Sequence, residues 1–239
     1  MSAKRGFDLA IGGVALAMAI PVLAIAMVLI WMGDGRSPLF RGARVGKDDR
    51  DFPMLKLRTM VAGADAIGGN STPAIDPRLT SLGRFLRRWK IDELPQLWNV
   101  VRGEMSLVGP RPQVRPGGVD RYTSAERTLL SVRPGMTDLA SIVFSDEGEI
   151  LKDAVDPDAR YDQVIRPWKN RLGLLYVRHH DVATDAELLW LTLLAIVAKS
   201  SALRGVAAIL ERWEADPELR RVCLRNSALP RGDPPGAVA

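Results

Sequence analysis

Cysteine and histidine are nearly missing from this chain of 239 residues, which has one cysteine, Cys223, and two adjacent histidines, His179 and His180. A single thiol excludes an internal disulfide and a thiolate zinc cage. Neighbouring residues on a helix point about 100° apart, so the two histidines present no common metal face. Aromatic residues make up only 6% of the chain, which leaves little for stacking nucleic-acid bases. The sequence contains no Gly-x-Gly-x-x-Gly, no P-loop, no Gly-x-Ser-x-Gly and no internal repeat. Dinucleotide-binding, P-loop and nucleophile-elbow chemistries are therefore set aside.

Positive charge is in excess, with 33 Lys and Arg against 28 Asp and Glu, a net +5. That balance favours acidic partners: phosphorylated small molecules, anionic lipid or nucleic acid. A hydrophobic share of 47% is ordinary for a globular protein. The length suits one substantial domain with appendages.

After Lys4 and Arg5, residues 9–32 run LAIGGVALAMAIPVLAIAMVLIWM without a charge. A helix of that length reaches about 36 Å, enough for a hydrocarbon core of roughly 30 Å. The run ends in Ile30, Trp31 and Met32 rather than in a small-residue cleavage site, which argues against a signal peptide. Pro21 in its middle removes a helical hydrogen bond and predicts a kink. Lys4 and Arg5 flank one end; Arg36, Arg41, Arg44 and Lys47 follow the other. A spanning helix keeps its basic residues mainly on the cytoplasmic side. Basic flanks at both ends suit a bent helix that enters and leaves the same leaflet, with a simple spanning anchor as the alternative.

Two β-compatible stretches, 38–45 and 52–58, surround the polar turn GKDDRD and predict a β-hairpin. Alternation in FPMLKLR puts Lys56 and Arg58 on one strand face. Residues 63–77 read as a loop and 79–89 as a short helix. The acidic stretch 146–162 reads as a solvated surface with helical pieces. AELLWLTLLAIVA at 186–198 is too short to span a bilayer. Its face of Trp190, Leu193, Leu194 and Val197 suits a core helix or one lying in the membrane interface. The tail from Asn226 is rich in Pro, Gly and Ala and reads as disordered.

In KIDELPQLWNVVRGEMSLVGPR, two adjacent acids, Asp92 and Glu93, follow the cations Arg78, Arg84, Arg87, Arg88 and Lys90. Ile91, Leu94, Leu97, Trp98 and Val101 have helical spacing, and Pro95 fits a first turn. This places the acids at or near a helix N-terminus, where a plain capping role is one reading. The surrounding charge exceeds what capping requires. Arg111, held in the rigid GPRP, is suited to bidentate phosphate contact. Paired carboxylates repel a diphosphate unless a cation bridges them, and Mg²⁺ held by a carboxylate and substrate oxygens is the usual solution. Nucleic-acid binding by the basic helix is disfavoured by the acids that follow at once and by the apolar run.

Five segments together resemble the bacterial sugar transferases, the monotopic polyprenyl-phosphate phosphoglycosyl transferases. They are KRGFDLA (4–10), KLRTM (56–60), DPRLTSLGRFLRR (76–88), DELPQLWNVVRGEMSLVGPRP (92–112) and RPGMTDLAS (133–141). The resemblance implies a mostly helical α+β membrane-associated domain with a small β-hairpin, a re-entrant N-terminal helix and amphipathic interface helices. Residues 1–32 would be the membrane helix, 33–204 a cytoplasmic catalytic domain, and 205–239 an amphipathic extension with a flexible tail. It further implies transfer of a sugar 1-phosphate from a UDP-sugar to undecaprenyl phosphate, releasing UMP, on the cytoplasmic face of the bacterial inner membrane. Asp92 would be the nucleophile and Glu93 a ligand of Mg²⁺. Lys56, Arg87 and Arg111 would surround the phosphates, with Arg58 and Arg78 as further candidates. Partners would be inner-membrane lipid and downstream glycosyltransferases. The alternative is a catalytically silent scaffold of the same fold. The chain departs from the family's usual Ser-Pro at the helix break, having Ile20-Pro21.

Overall fold

The computed structural model describes residues 2–64 and 76–237, so most of the expected 63–77 loop lies outside the described residues. Helix α1 (Ala3–Asp34) starts where the Ser2 hydroxyl accepts a hydrogen bond from Arg5 N. It ends at Gly35, whose φ of 68° a side chain would resist. It continues through Pro21 as one helix. One stripe of it, Asp8, Gly12, Ala19, Ala26 and Ile30, is buried against the rest of the protein from end to end. The opposite side stays apolar and exposed, with Met18 at 75% and Met32 at 69%.

The expected hairpin is present as β1 (Leu39–Val45) and β2 (Asp51–Leu57), antiparallel, with Leu39 opposite Leu57 and Val45 opposite Asp51. Phe52 and Met54 point into the core, and the period of two carries Lys56 to the same side. Arg58 does not join it. The strand ends at Leu57, and the Arg58 guanidinium turns to Asp34 at the end of α1, with Nη2 2.6 Å from Oδ1.

Helix α2 (Ser81–Arg88) is capped by Thr80, whose hydroxyl accepts from Gly83 N at 2.9 Å. Gly83 lies so close to β2's exit that an added Cβ would sit 1.9 Å from Thr59 O. That carbonyl cannot retreat without losing Thr80 N (3.0 Å) and Thr80 Oγ1 (3.2 Å). Gly83→Ala is therefore expected to destabilise the protein by about 1–3 kcal/mol, read as a lowered denaturation midpoint.

Helix α3 (Gln96–Arg102) leads into β3 (Ser106–Val108), which pairs in parallel with β4 (Gly135–Thr137). Three-residue strands carry no measurable alternation, so this pairing leaves no local signal in the sequence. At this crossing Gly109 and Gly135 touch backbone to backbone: a Cβ on Gly135 would lie 2.1 Å from Gly109 N. The close approach fixes the GPRP segment against RPGM. Then follow α4 (Leu139–Val143), α5 (Glu147–Ile150), α6 (Pro157–Val164), α7 (Arg166–His179), α8 (Val182–Val197), α9 (Lys199–Arg212) and α10 (Pro217–Leu224). The acidic stretch thus forms the short helices α5 and α6, but most of its residues are half-buried rather than fully solvated, and Leu151 is buried outright.

α8 packs one side into the core and leaves the other uncovered. Leu188 and Leu191 enter the core, while Trp190, Leu193, Ile196 and Val197 remain exposed. The boundary expected at 204/205 falls inside α9, and Val206, Ile209, Leu210 and Cys223 share the main core with α4, α7 and α8. The tail from Asn226 is not the disordered segment its composition predicted. Trp168 Nε1 donates to Pro230 O at 3.0 Å, Gly232 N donates to Gln163 O at 3.0 Å, and Thr123 Oγ1 donates to Pro235 O. Proline and glycine exclude regular structure but leave backbone carbonyls available as acceptors.

Candidate active site

Between α2 and α3 the chain reverses at Lys90, a non-glycine residue at φ 56°. Ile91–Glu93 then form a 3₁₀ turn, with Leu94 and Pro95 helical as well. The acids thus occupy their own turn ahead of α3, rather than its first turn. Neither that turn nor α3 has a side-chain cap hydrogen bond. The capping role is absent, and the carboxylates are left for other use.

Glu93 is held from two sides. Lys56 Nζ lies 3.2 Å from Oε1, Arg111 Nη1 lies 3.1 Å from Oε2, and Arg111 Nη2 also bonds Oε1. Arg111 is fixed in turn by donating to Met136 O at 2.8 Å, next to the Gly109–Gly135 crossing. Burial alone would raise the Glu93 carboxyl, but Arg111, Lys56 and Lys90 outweigh it and hold the group well below the usual carboxylate range. Glu93 is therefore ionised. Glu93 in return raises Arg111, while burial lowers Lys56 against the pull of Glu93. Both cations stay reachable, with 24% of the Lys56 side chain and 30% of the Arg111 side chain exposed.

Asp92 is different. It is buried, and its Oδ1 is enclosed without a hydrogen-bond partner. Burial, followed by the Glu93 charge, pushes its carboxyl upward, while Lys56, Arg87 and Lys90 oppose the shift. Arg87 approaches from α2 with Nε 2.9 Å from Thr59 Oγ1, and burial lowers its guanidinium. Two carboxylates among Lys56, Arg87, Lys90 and Arg111 leave a positive surplus, which suits an anionic ligand. Arg111 also lines a small, shallow cleft with Val45, Gly46, Pro110, Pro112 and Tyr122.

The structure brings together Lys56, Arg87, Asp92, Glu93 and Arg111. Arg78 stands one step back, gripping Asp76 with Nη2 2.7 Å from Oδ2, and the Asp76 charge acts on Arg87. Arg58 is drawn off to Asp34. Of the other basic residues ahead of the pair, Arg84 bonds Leu79 O and Ser81, and Arg88 lies over the Trp89 ring. Sequence reasoning passed over Thr59, Gln96 and Asp138. Thr59 and Gln96 lie inside KLRTM and DELPQ, yet as neutral residues they gave no charge signal. Asp138 caps α4, accepting from Ser141 N at 2.7 Å, and its charge reaches Arg111. No cluster of three or more His, Cys, Asp or Glu side chains able to hold a metal occurs among the described residues.

The sequence profile of the bacterial sugar transferase family matches residues 1–199, and the chain belongs to that family. Among its relatives is a UDP-galactose-lipid carrier transferase of Erwinia amylovora, 38% identical over 151 residues, which are 57% of this chain and 31% of that protein. An undecaprenyl-phosphate glucose phosphotransferase of Komagataeibacter xylinus is 38% identical over 204 residues, 81% of this chain and 35% of that one. An exopolysaccharide production protein of Rhizobium meliloti is 38% identical over 155 residues, 59% and 68% of the two chains. The chain spans about a third of the length of the Erwinia and Komagataeibacter proteins.

Proposed function

We propose that this protein is a phosphoglycosyl transferase that moves a sugar 1-phosphate from a UDP-sugar to undecaprenyl phosphate, releasing UMP and starting a polysaccharide or glycoconjugate. The observation that carries the reading is Asp92: a buried carboxylate with an unpartnered oxygen, inside a ring of cations with positive charge to spare. A scaffold has no use for such a group. The relatives' names supply the substrate class, a UDP-sugar in one case and undecaprenyl phosphate in another.

In the first step an Asp92 oxygen attacks the sugar-bearing phosphorus. The O–P bond forms as the phosphorus–oxygen bond to UMP breaks, and the electron pair leaves with UMP. In the second step an oxygen of the lipid phosphate attacks the same phosphorus, the acyl-phosphate bond breaks, and Asp92 returns to carboxylate. Lys56, Arg87 and Arg111 neutralise the phosphoryl oxygens in both steps. Arg111 binds Glu93 through both of its terminal nitrogens, a planar arrangement matched to carboxylate or phosphate.

The residues present fit Mg²⁺ bound through Glu93. Glu93 is ionised, its Oε2 accepts one hydrogen bond, and Mg²⁺ commonly takes one or two carboxylates plus substrate phosphates rather than a protein cage. When bound, the ion supplies charge neutralisation that lets a diphosphate approach two carboxylates.

The membrane arrangement we propose draws its support from α1. Both of its ends are tied to the polar body, through Lys4 at the start and Asp34 at the end. A perpendicular crossing would carry that body into the bilayer, so we read residues 1–32 as a re-entrant element. Its exposed apolar side, with Phe85, Trp89, Trp98 and the Trp190 face of α8, would meet lipid on the cytoplasmic side of the inner membrane. Residues 33–204 form the catalytic body in this reading, and the chain beyond them completes its core.

The test is UMP release from a panel of UDP-sugars with undecaprenyl phosphate and Mg²⁺. Release is expected with at least one donor, is expected to fall to background in excess chelator, and is expected to lose metal dependence and rate together in Glu93→Gln. Full rate in chelator would remove the metal requirement, and no release with any donor would favour the scaffold.

A further inference from the structure

Gln96, the first residue of α3, is fully buried, and neither its Oε1 nor its Nε2 has a hydrogen-bond partner. An unpaired polar group of this kind is a net cost to the fold. Burial on this helix does not itself prevent satisfaction. Asn99, one turn further on, donates to Pro53 O at 2.9 Å and Glu104 Oε2 at 2.6 Å and accepts from Leu55 N at 3.0 Å. Among the described residues, the buried side-chain atoms left without partners are Asp92 Oδ1, the two polar atoms of Gln96, and Arg220 Nε. Three of these four therefore belong to two residues that are four apart. Helical dihedrals run from the Ile91–Glu93 turn through Leu94 and Pro95 into α3, so Gln96 lies one turn from Asp92 along the same stretch.

We infer that Gln96 is the positioning residue of Asp92, its Nε2–H donating to Asp92 Oδ1 during turnover so that Oδ2 is the oxygen presented to phosphorus. The inference rests on the transfer through Asp92 proposed above. In the first step the bond fixes which oxygen attacks. In the second, as the Oδ2–P bond breaks, negative charge spreads back onto Oδ1, where the amide hydrogen stabilises it. Gln96 keeps its proton throughout. An uncompensated cost in the resting fold is the expected mark of a group held ready for a reacting state.

Gln96→Met preserves length and volume while removing both polar ends, and Gln96→Leu is a second variant should the first pack poorly. In the full-length, membrane-reconstituted protein, the thermal midpoint is expected to equal or exceed that of wild type, because an orphaned amide has been replaced by an apolar group. Meanwhile kcat should fall roughly ten- to a hundredfold, the effect of losing a hydrogen bond to a charged group, with the donor KM within about twofold. Radiolabelled sugar phosphate trapped on Gln96→Met should also discharge more slowly to added undecaprenyl phosphate. Wild-type turnover, or stability falling in step with rate, would overturn the inference. A wild-type protein that never traps label would overturn the covalent reading instead. The contact would then be decided by a cycle of Asp92→Asn, Gln96→Met and the double variant read in the residual rate of UMP release, where strictly additive effects would refute it.

Discussion

Asp92→Asn is expected to lower UMP release by at least about a thousandfold while leaving the protein folded and no less stable. The rate loss follows from chemistry: an amide of the same shape has no negative charge to attack phosphorus and forms no acyl phosphate. The preserved stability follows from the environment. Burial and the Glu93 charge raise the Asp92 carboxyl, so the fold disfavours the ionised form that the reaction needs. An acid whose folded pKa is raised lowers stability once the pH is high enough to ionise it, and a neutral amide removes that penalty. Asn also forfeits attraction to Lys56 and Arg87, but the net direction of the shift says that burial and Glu93 prevail. The decisive measurement is label from a sugar-³²P donor. Wild-type protein should retain it when lipid acceptor is withheld, and the Asn variant should carry none. If wild type stays unlabelled and turnover needs both substrates bound together, Asp92 acts as a base or metal ligand in direct transfer.

What the sequence disclosed about this site depended on whether each residue's neighbours were local. The acid pair, the apolar spacing behind it and the GPRP segment all lie within one continuous stretch, and their identities alone pointed to anion chemistry. Lys56 and Arg58 show the limit. Alternation placed both on one face, and only the end of β2 at Leu57, with Asp34 waiting at the end of α1, separates them. That separation depends on where two distant segments meet, which no local pattern encodes. Gln96 was invisible for a related reason: an unsatisfied amide is a property of its surroundings, and a glutamine behind Asp-Glu-Leu-Pro looks like any helix former.

The fold divides similarly. The long apolar run, the hairpin and the apolar α8 announced themselves by period and composition. The parallel pairing of β3 and β4 did not, since Ser106 and Gly135 meet across a crossover and each strand has three residues. The tail misled because low hydrophobicity predicts disorder for a segment on its own. Here it is fastened by carbonyls that accept from Trp168 and Thr123.

The second large effect is expected at the foot of α1, where Asp185→Ala should cost about 3 kcal/mol and lower the thermal midpoint by roughly 6–12 °C. Asp185 in α8 is fully buried. It accepts from Lys4 Nζ at 2.5 Å and from the Tyr176 hydroxyl at 2.6 Å, while Lys4 also donates to Val108 O at 2.9 Å. Arg5 satisfies two of the terminal carbonyls of α3, Val100 O at 2.6 Å and Val101 O at 2.8 Å. Asp8 accepts from Ser106 Oγ at 2.9 Å and Leu107 N at 3.0 Å. Removing Asp185 leaves an ammonium facing neutral acceptors in a mostly buried position. The cost is set at the lower end for a broken buried pair because Lys4 keeps 21% of its side chain in solvent. Replacing both partners, Lys4→Met with Asp185→Leu, should recover much of the loss, since no uncompensated charge then remains. The same ties make a claim about topology. If the first turn of α1 stays bound to α3, β3 and α8, a cysteine at Ser2 lies on the catalytic domain's side of the membrane. A membrane-impermeant maleimide should then modify Ser2→Cys only after the cells are opened. Modification in intact cells would mean that α1 crosses the bilayer and that the Lys4–Asp185 pair is not made in the membrane-bound protein.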